Sequence, residues 1–443
     1  PLFRSGGVKG RENMLFGTAK MNRENHLEVG GCDTVKLAQK FGTPLFVYDV
    51  AHIRAQARGF KQTLNQLGIK NKVVYASKAF SCLAIYQVLK EEDIACDVVS
   101  GGELFTALKG GMEPAEIEFH GNNKTPEELR YALDNKIGTI VIDNFYEIDL
   151  LEELLATRNQ TQKVLFRVSP GVDAETHDYI LTGQEDSKFG FDVASGQATE
   201  ALVRLLSNPS FDVQGVHCHI GSQIFAVEGF LAAVEKMFTI LEDWRQVHQF
   251  TARVLNMGGG FGVQYTQQDE PLAPATFVEK IVYSLKGHCE QLGYPLPELW
   301  IEPGCSLIAE AGTTIYTVGA QKEVPGVRHF VSVDGGMGDN IRPALYQAVY
   351  DGFLANREGY DSVKKVTVVG KYCESGDVLL RDILLPEVKA GDLLAISSTG
   401  AYGYSMASNY NRNPRPAVVF VEDGQAKLVA RRETYEDMTT LDC

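Results

Sequence analysis

Eight short apolar runs, each followed by an amphipathic helical stretch, constrain the fold of this chain more than any other feature. Continuous apolar runs separated by helices are typical of parallel strands that are buried on both faces. Eight such units in about 250 residues match a (β/α)8 barrel in number and size. A doubly wound open sheet is the alternative, but eight consecutive units without a strong break favour closure. The runs are VVYASK (73–78), ACDVVS (95–100), IEFHG (117–121), TIVID (139–143), VLFRVS (164–169), VQGVHCHIGS (213–222), RVLNMGGG (253–260) and ELWIEPG (298–304).

Two of the helices carry explicit start signals. Thr125 and Pro126 form an N-cap followed by a proline at the first helical position, and Glu128 completes the pattern of a capping box. Asn144 followed by Glu147 repeats the capping pattern. The pattern therefore predicts helices that begin at these two points.

From about residue 311 the sequence pattern changes and predicts strands separated by turns. The segment VVFVEDGQAKLVARR predicts a hairpin whose turn is Asp423-Gly424. We therefore predict an α/β protein with a TIM-type (β/α)8 barrel over 46–310 and a C-terminal β-sandwich or barrel-like domain over 311–443. The N-terminal segment 1–45 is expected to contribute to the β domain.

Charge and cysteine content exclude several classes of protein. With 42 Lys and Arg against 57 Asp and Glu, the net charge is −15, which argues against nucleic acid and anionic membranes as partners. Eight cysteines without a CxxC pair indicate reduced thiols, as in a cytoplasmic protein. The first residues lack the apolar stretch of a signal peptide, and no run of about 18 apolar residues predicts a membrane span.

The carboxyl-terminal ends of the strands are where barrel enzymes gather their chemistry. A set that combines a lysine, histidines, an arginine, a glycine triplet and a carboxylate is unusual for these positions. The candidates are Lys78, Ser100, His120, Asp143, Arg167, His219, Gly258–Gly260 and Glu302.

Three of these candidates point to one kind of chemistry. Lys78 closes an apolar strand, where a desolvated amine becomes a nucleophile for a Schiff base, although it could also extend to solvent at the rim. The glycines at 258–260 follow the seventh strand, where backbone N–H groups can cradle a phosphate, or they could simply form a tight turn. Glu302 could hold a protonated ring nitrogen or form a salt bridge at the rim.

His217 and His219 flank Cys218 and share one face of a strand. A metal site would need further ligands, and no nearby cluster supplies them, so we expect no metal. A histidine that stacks on an aromatic cofactor fits better, and a core histidine is the alternative. A lysine imine, a phosphate cradle and a carboxylate for a pyridine nitrogen are together what pyridoxal 5'-phosphate requires, while Arg167 either supports this array or pairs with an acidic neighbour.

The β domain offers its own candidates. An accessible thiol at Cys373 can deliver a proton, whereas a buried structural thiol is the ordinary alternative for a lone cysteine. The guanidinium of Arg342 is the best candidate to clamp a substrate carboxylate, because its geometry allows two parallel hydrogen bonds.

Ten motifs in order give the chain a clear resemblance to the diaminopimelate decarboxylases, pyridoxal-phosphate enzymes of the alanine racemase-like fold. The match covers essentially the whole chain from about Leu45. The segment TGQEDSKFG and the pair CESGD and GAYGYSMASNYN favour this family over the ornithine and arginine decarboxylases. The matching segments are YASKA (75–79), DVVSGGEL (97–104), HGNNKT (120–125), TGQEDSKFGFD (182–192), HCHIGSQ (217–223), GGGFG (258–262), EPG (302–304), RPALY (342–346), CESGD (373–377) and GAYGYSMASNYN (400–411).

The resemblance implies a set of cofactor-binding residues. Lys78 would form the Schiff base with pyridoxal 5'-phosphate, His219 would stack on its ring and Glu302 would hold the pyridine nitrogen. The further cofactor contacts that it implies are Ser222, Gly258, Gly259, Gly260, Pro303, Gly304, Cys305 and Tyr402.

The resemblance also implies the substrate and the assembly. Arg342, Tyr346 and Glu374 would bind the far end of the substrate, with Tyr402 nearby, and Cys373 would return a proton after carbon dioxide leaves. The implied reaction converts meso-2,6-diaminopimelate to L-lysine and carbon dioxide, the last step of lysine biosynthesis. The implied assembly is a homodimer in which each subunit completes the active site of the other.

One residue departs from the family pattern. The family motif E-P-G-R-S reads here with Cys305 in place of the arginine, and a thiol offers neither the charge nor the planar fork. Three interpretations stay open: a changed residue in an otherwise ordinary enzyme, a natural shift tolerated because Arg342 remains, and a related decarboxylase acting on a lysine- or ornithine-like substrate. Because Arg342, Tyr346 and Glu374 all remain, diaminopimelate is the preferred substrate.

Two other functions are compatible with the same barrel. A racemase needs a second base and usually an arginine at the pyridine nitrogen, and Glu302 and Cys373 argue against it. A non-enzymatic carrier of the cofactor would lack the β domain that residues 311–443 predict.

Overall fold

The computed structural model describes residues 14–171, 187–358 and 360–443. Part of the motif predicted at 182–192 lies outside the described residues. In chain order the strands are β1 (Lys20–Met21), β2 (Leu27–Val29), β3 (Cys32–Asp33), β4 (Leu45–Asp49), β5 (Asn71–Ala76), β6 (Ala95–Val98), β7 (Ile117–Phe119), β8 (Thr139–Ile142), β9 (Gln162–Ser169), β10 (Phe191–Asp192), β11 (Phe211–His217), β12 (Val254–Asn256), β13 (Glu298–Ile301), β14 (Gly312–Val324), β15 (Arg328–Val333), β16 (Gly352–Leu354), β17 (Val363–Val369), β18 (Val378–Pro386), β19 (Leu393–Ser397), β20 (Ala417–Glu422) and β21 (Gln425–Ala430).

The helices of the described chain alternate with β5 to β13 and are scarce after residue 310. They are α1 (Thr34–Phe41), α2 (Val50–Gln66), α3 (Leu83–Glu91), α4 (Gly101–Lys109), α5 (Pro126–Asp134), α6 (Phe145–Ala156), α7 (Gln197–Leu206), α8 (Glu228–His248), α9 (Pro274–Leu292), α10 (Cys305–Ile308), α11 (Arg342–Tyr346) and α12 (Tyr435–Thr439).

The eight predicted apolar runs form a closed parallel barrel. Its strand order is β5, β6, β7, β8, β9, β11, β12 and β13, and β13 pairs in parallel with β5 to close the ring. Every residue of β6 and of β8 is buried, as expected of strands covered on both faces. The closed barrel is therefore confirmed against the open-sheet alternative.

The barrel interior is built in layers because alternate residues of a strand point to the same face. One apolar layer consists of buried residues from six strands, listed here: Val74, Ala95, Val141, Leu165, Val254 and Trp300. The residues two positions further along the chain, at or just after the strand ends, come nearer to the carboxyl-terminal mouth. Four of them are the buried Asp97, Asp143, Asn256 and Glu302. The period of two therefore puts polar groups in the layer next to the mouth.

Local sequence signals set the helix starts as predicted, with one correction. The capping box of α5 is complete, since Thr125 Oγ1 accepts from the Glu128 N–H at 3.1 Å and the Glu128 carboxylate accepts from the Thr125 N–H at 3.1 Å. At α6 only half of the box forms: Asn144 caps the Glu147 N–H at 3.0 Å, but the Glu147 carboxylate accepts from the Asp143 N–H. Glu147 is drawn away from the box because it pairs with the buried Lys124.

The β-rich part is organised around the long strand β14. It pairs with β4, β15 and β19, while β20 runs parallel to β4 and forms a hairpin with β21. Asp423 and Gly424 at the hairpin turn have positive φ values of 51° and 76°, as a two-residue turn of this kind requires. The predicted β-rich second domain and its hairpin are confirmed.

The described chain packs as two compact units. Counting only the residues that the structure describes, one unit contains 14–55, 263–270 and 307–443, and the other contains 56–262 and 271–306. Residues 46–55, which the predicted limits assign to the barrel, pack in the β-rich unit, because β4 pairs with β14 and β20. The division into 1–45, 46–310 and 311–443 as separate domains stays a prediction. Among the described helices, none combines the length and apolar character needed to cross a membrane.

Candidate active site

Lys78 is presented to solvent directly after the first barrel strand. The strand β5 ends at Ala76, and a short 3-10 helix follows over Ser77–Ala79. Ser77 and Ala79 are fully buried, whereas Lys78 between them is exposed. The buried neighbours fix the backbone, so the amine stands at the carboxyl-terminal mouth of the barrel.

The glycine loop after β12 has no room for side chains. A Cβ on Gly259 would lie 2.1 Å from the carbonyl oxygen of Glu302, and one on Gly260 would lie 2.0 Å from the carbonyl oxygen of Gly221. Gly258 and Gly260 also have positive φ values of 70° and 89°. The loop is thus bare backbone held between neighbouring strand ends, which is the kind of surface that approaches a phosphate.

His219 lies against this loop as a neutral imidazole. The Gly259 N–H donates to His219 Nδ1 at 3.3 Å. Burial, together with the positive charges of Lys78 and Arg167, holds the pKa of His219 well below its usual range. A neutral ring with no charge of its own suits contact with the face of an aromatic cofactor.

Glu302 is buried and accepts hydrogen bonds on both carboxylate oxygens. His217 Nε2 donates to Oε1 at 2.6 Å, and His120 Nε2 contacts Oε2. Burial alone would raise the pKa of Glu302, but the charge of His120 and the hydrogen bonds of both histidines hold it well below the usual range. Glu302 is therefore an ionised carboxylate in a buried site.

We expected no metal at His217 because the sequence offers no nearby cluster of further ligands. That premise is wrong. Ligand atoms of His120, His217 and Glu302 lie within 4.8 Å of one another, so potential ligands do surround His217. Sequence reasoning missed this because the three residues come from strand ends that meet only when the barrel closes. The same atoms already hydrogen-bond to each other, and we make no metal assignment from them.

Two buried carboxyl groups of this region were missing from the sequence-based set. Burial and the charge of Glu302 raise the pKa of Asp97 to about 8 and raise that of Glu118 well above its usual range. Glu118 Oε1 accepts from Asn256 Nδ2 at 2.9 Å. Their signal was available, since an acidic residue inside an apolar strand run needs a partner or a proton.

The remaining strand-end candidates have structural partners. Ser100 caps α4 by accepting from the Glu103 N–H at 3.1 Å. Asp143 accepts from the Gly190 N–H at 3.0 Å, and the Arg167 guanidinium lies 4.5 Å from the centre of the Phe189 ring. Burial lowers the pKa of Arg167, although the negative charges of Asp143 and Glu302 partly offset this effect. Arg167 therefore lies near both acids.

The other residues of the predicted cofactor set in the barrel unit differ in exposure. Ser222 is exposed, Pro303 is buried and its carbonyl accepts from the Ala76 N–H at 3.2 Å. A Cβ on Gly304 would come within 3.2 Å of the Ala76 Cβ. Cys305 is half-buried and begins α10.

In the β-rich unit, Arg342 is held in place by two aromatic residues. Its Nη1 donates to the Tyr350 hydroxyl at 2.7 Å, and its guanidinium lies 4.5 Å from the centre of the Tyr265 ring. Tyr346, at the end of the same short helix, is 52% exposed. Tyr402 is half-buried with a positive φ of 58°.

The loop that carries Cys373 and Glu374 is exposed and anchored at its backbone. The Cys373 N–H donates to Asn411 Oδ1 at 2.7 Å. The Asp377 carboxylate accepts from the Tyr372 N–H at 3.0 Å. The Cys373 thiol is exposed rather than buried, so the structural-thiol alternative for this residue is wrong.

Comparison with known proteins identifies the family. The model of the "Pyridoxal-dependent decarboxylase, pyridoxal binding domain" family matches residues 50–309. Diaminopimelate decarboxylase of Bacillus subtilis is 58% identical over 428 residues, covering 97% of this chain and 98% of its own length. The chain belongs to the diaminopimelate decarboxylase family. Its relative from Bacillus methanolicus is 53% identical, covering 97% of this chain and 99% of that protein.

Solved structures of the diaminopimelate decarboxylase family share the fold of this chain over most of its length. The crystal structure of the enzyme from "m. jannaschi" is 34% identical, with a TM-score of 0.90, and the match covers 96% of this chain and 98% of that one. A lysine/ornithine decarboxylase from Vibrio vulnificus has a TM-score of 0.73 at 22% identity. At that identity the likeness shows a common fold alone and gives no support to the lysine- or ornithine-like alternative.

Proposed function

We propose that the chain catalyses the pyridoxal-phosphate-dependent decarboxylation of meso-2,6-diaminopimelate to L-lysine and carbon dioxide, the last step of lysine biosynthesis. The observation that carries the proposal is the 58% identity, over 97% of the chain, to a protein named diaminopimelate decarboxylase. A relative has also been crystallised with L-lysine, the proposed product.

The groups at the barrel mouth support pyridoxal phosphate as the cofactor. Bound there, the cofactor would supply an electron sink for the carbanion that remains when carbon dioxide leaves. The exposed amine of Lys78 would hold it covalently, and the bare backbone of Gly258–Gly260 would receive its phosphate together with Ser222 and Tyr402. Pro303, Gly304 and Cys305 would complete the binding site.

Two buried groups would set the electronic state of the ring. Glu302 is ionised, so its carboxylate can keep a proton on the pyridine nitrogen and thereby favour negative charge at the substrate α-carbon. His219 is neutral, so it can contact the ring face without competing for that proton. A carboxylate at the ring nitrogen supports decarboxylation over racemisation, because racemases usually have an arginine at that position.

Residues of the β-rich unit would bind the substrate and return a proton. The Arg342 guanidinium would pair with the distal carboxylate, and Tyr346 and Glu374 would bind the remaining polar groups at that end. The exposed thiol of Cys373 would give its proton to the carbon that has lost carbon dioxide and regain one from solvent. Each turnover then releases one carbon dioxide and one L-lysine.

The test is turnover by the cofactor-loaded protein on meso-diaminopimelate, lysine and ornithine, with carbon dioxide and amine products measured for each. We expect carbon dioxide and L-lysine from diaminopimelate alone. Carbon dioxide from lysine or ornithine, or racemised diaminopimelate without carbon dioxide, would contradict the proposal.

We also propose that the enzyme works as a cytoplasmic homodimer in which the β-rich unit of one protomer completes the site of its partner. The exposure of Tyr346, Cys373 and Glu374 supports the shared site, and the low cysteine content, eight in 443 residues, supports a reducing compartment. Mixing inactive Lys78→Ala and Cys373→Ala proteins tests the sharing. Random exchange should restore about one quarter of the wild-type sites, whereas an inactive mixture of exchanged subunits would contradict it.

A further inference from the structure

A buried network of charged and polar groups lies around Glu302. His120 Nε2 contacts Glu302 Oε2 and lies 3.3 Å from Glu118 Oε2. On the other side of the carboxylate, His217 Nε2 donates to Glu302 Oε1 at 2.6 Å. All four side chains are buried.

The network continues to the glycine loop. Asn256 is 0% exposed, and its Nδ2 donates to Glu118 Oε1 at 2.9 Å. Its Oδ1 accepts from the Gly258 N–H at 2.9 Å. Hydrogen bonds thus join the proposed phosphate cradle to Glu118, and the 3.3 Å contact between Glu118 and His120 continues the network to the carboxylate proposed for the ring nitrogen.

The two histidines that contact Glu302 are not equivalent. The charges of Glu302 and Glu118 outweigh burial and raise the pKa of His120 to about 10. Burial lowers the pKa of His217 to about 4. His120 is therefore the cationic partner of Glu302, and His217 is a neutral donor to it.

We propose that His120 is a positioning residue: held by Glu118, it fixes the Glu302 carboxylate in one orientation and keeps it ionised for the ring nitrogen of the cofactor. The inference rests on the proposed function, since it assigns a role toward pyridoxal phosphate. Glu118 adds a second carboxyl oxygen beside His120, and burial together with the charge of Glu302 raises the pKa of Glu118 well above its usual range.

A contribution to stability alone does not account for this network. Buried ion pairs seldom stabilise a protein more than apolar residues of similar volume would, because both charges lose their hydration. The charges of Asp97 and Arg167 also interact with the charge of Glu302. What the network does provide is a carboxylate of fixed charge and direction, which is the property that a protonated pyridine nitrogen requires.

The test is a double-mutant cycle between His120→Gln and Glu302→Gln, with kcat, KM and cofactor affinity measured for each protein. His120→Gln alone should weaken cofactor binding and lower kcat by about ten- to hundredfold, with KM within about twofold of wild type. In the Glu302→Gln background the same change should cost less than about threefold. Equal losses in both backgrounds would overturn the proposal.

Two contrasts separate charge from packing. His217→Gln retains a donor at a residue that is already neutral, so its loss should be clearly smaller than that of His120→Gln. His329→Gln, in the β-rich unit, is the control for histidine replacement and should leave kcat and cofactor affinity unchanged. Equal effects of His217→Gln and His120→Gln would contradict the proposal, because the positive charge of His120 would then have no special effect on Glu302.

A spectroscopic measurement on the cofactor-free protein does not depend on activity. Wild type should show a far-downfield imidazole proton resonance from the His120–Glu302 hydrogen bond, and Glu302→Gln should abolish it. Its absence from wild type would overturn the proposal even if His120→Gln did not fold. If wild type bound the cofactor but released no carbon dioxide, the proposed reaction would fail, while the binding cycle would still decide whether His120 acts through Glu302.

Discussion

Gly259→Ala should damage the cofactor site through one added methyl group. The new Cβ would lie 2.1 Å from the Glu302 carbonyl oxygen and 2.9 Å from its carbonyl carbon. Contacts below 3.0 Å are essentially not seen for real Cβ atoms, so the two loops must separate by about 1 Å. The obstacle is backbone and cannot rotate away.

The size of the effect follows from that overlap. Overpacking of this kind costs about 1–3 kcal/mol. If the strain is relieved by moving the loops apart, cofactor affinity should fall by about five- to hundredfold, since about 1.4 kcal/mol corresponds to a factor of ten. The assay is a titration of the cofactor-free protein with pyridoxal phosphate, followed by the visible absorbance of the bound cofactor, with thermal unfolding measured in parallel.

Gly287→Ala is the matched control. Gly287 lies within α9, and a Cβ added there would have open space around it, with no neighbouring atom within 4 Å. Alanine should raise helix stability there by about 0.5–1 kcal/mol and leave cofactor affinity unchanged. Wild-type affinity and stability in Gly259→Ala would refute the view that the glycine loop is packed as closely as it can be.

Three further predictions concern other parts of the chain. Cys305→Arg should lower KM for diaminopimelate or tighten cofactor binding by about ten- to hundredfold, the worth of one charge-assisted hydrogen-bonded pair; unchanged constants would mean that Cys305 lies off the binding path. Cys373→Ala should lower kcat by about 10²–10⁴-fold with cofactor affinity unchanged, and a wild-type kcat would reject Cys373 as the proton donor. Burial raises the pKa of Asp339 from its ordinary 3.8 to about 7, so the folded state keeps a proton that the unfolded state loses, and stability should fall as pH rises from about 4 through 7; Asp339→Asn should flatten this part of the pH profile of thermal unfolding, and an unchanged slope would contradict the assignment.

Much of the fold is predictable because local patterns and the final structure agree. Apolar runs separated by amphipathic helices predict all eight barrel strands, and the capping box at Thr125 forms as its sequence indicates. The strand-end rule also assigns Lys78, the glycine loop and Glu302 to one mouth of the barrel from the sequence alone.

What the sequence does not predict depends on contacts between distant strands. His120, His217 and Glu302 meet only because β13 closes the ring on β5, so no local spacing indicates their contact. The placement of β4 in the β-rich unit is similar, since its partners β14 and β20 lie more than 250 residues away along the chain. The failure of the second capping box has the same origin, because Lys124 belongs to a different βα unit from Glu147.

The most direct test of the account is the ratio of products released by the cofactor-loaded wild-type enzyme and by Lys78→Ala. With meso-diaminopimelate, wild type should release carbon dioxide and L-lysine in a one-to-one ratio, and Lys78→Ala should lose both the visible absorbance of bound cofactor and nearly all turnover. Carbon dioxide release by Lys78→Ala at the wild-type rate, or no L-lysine from wild type, would contradict the central claim.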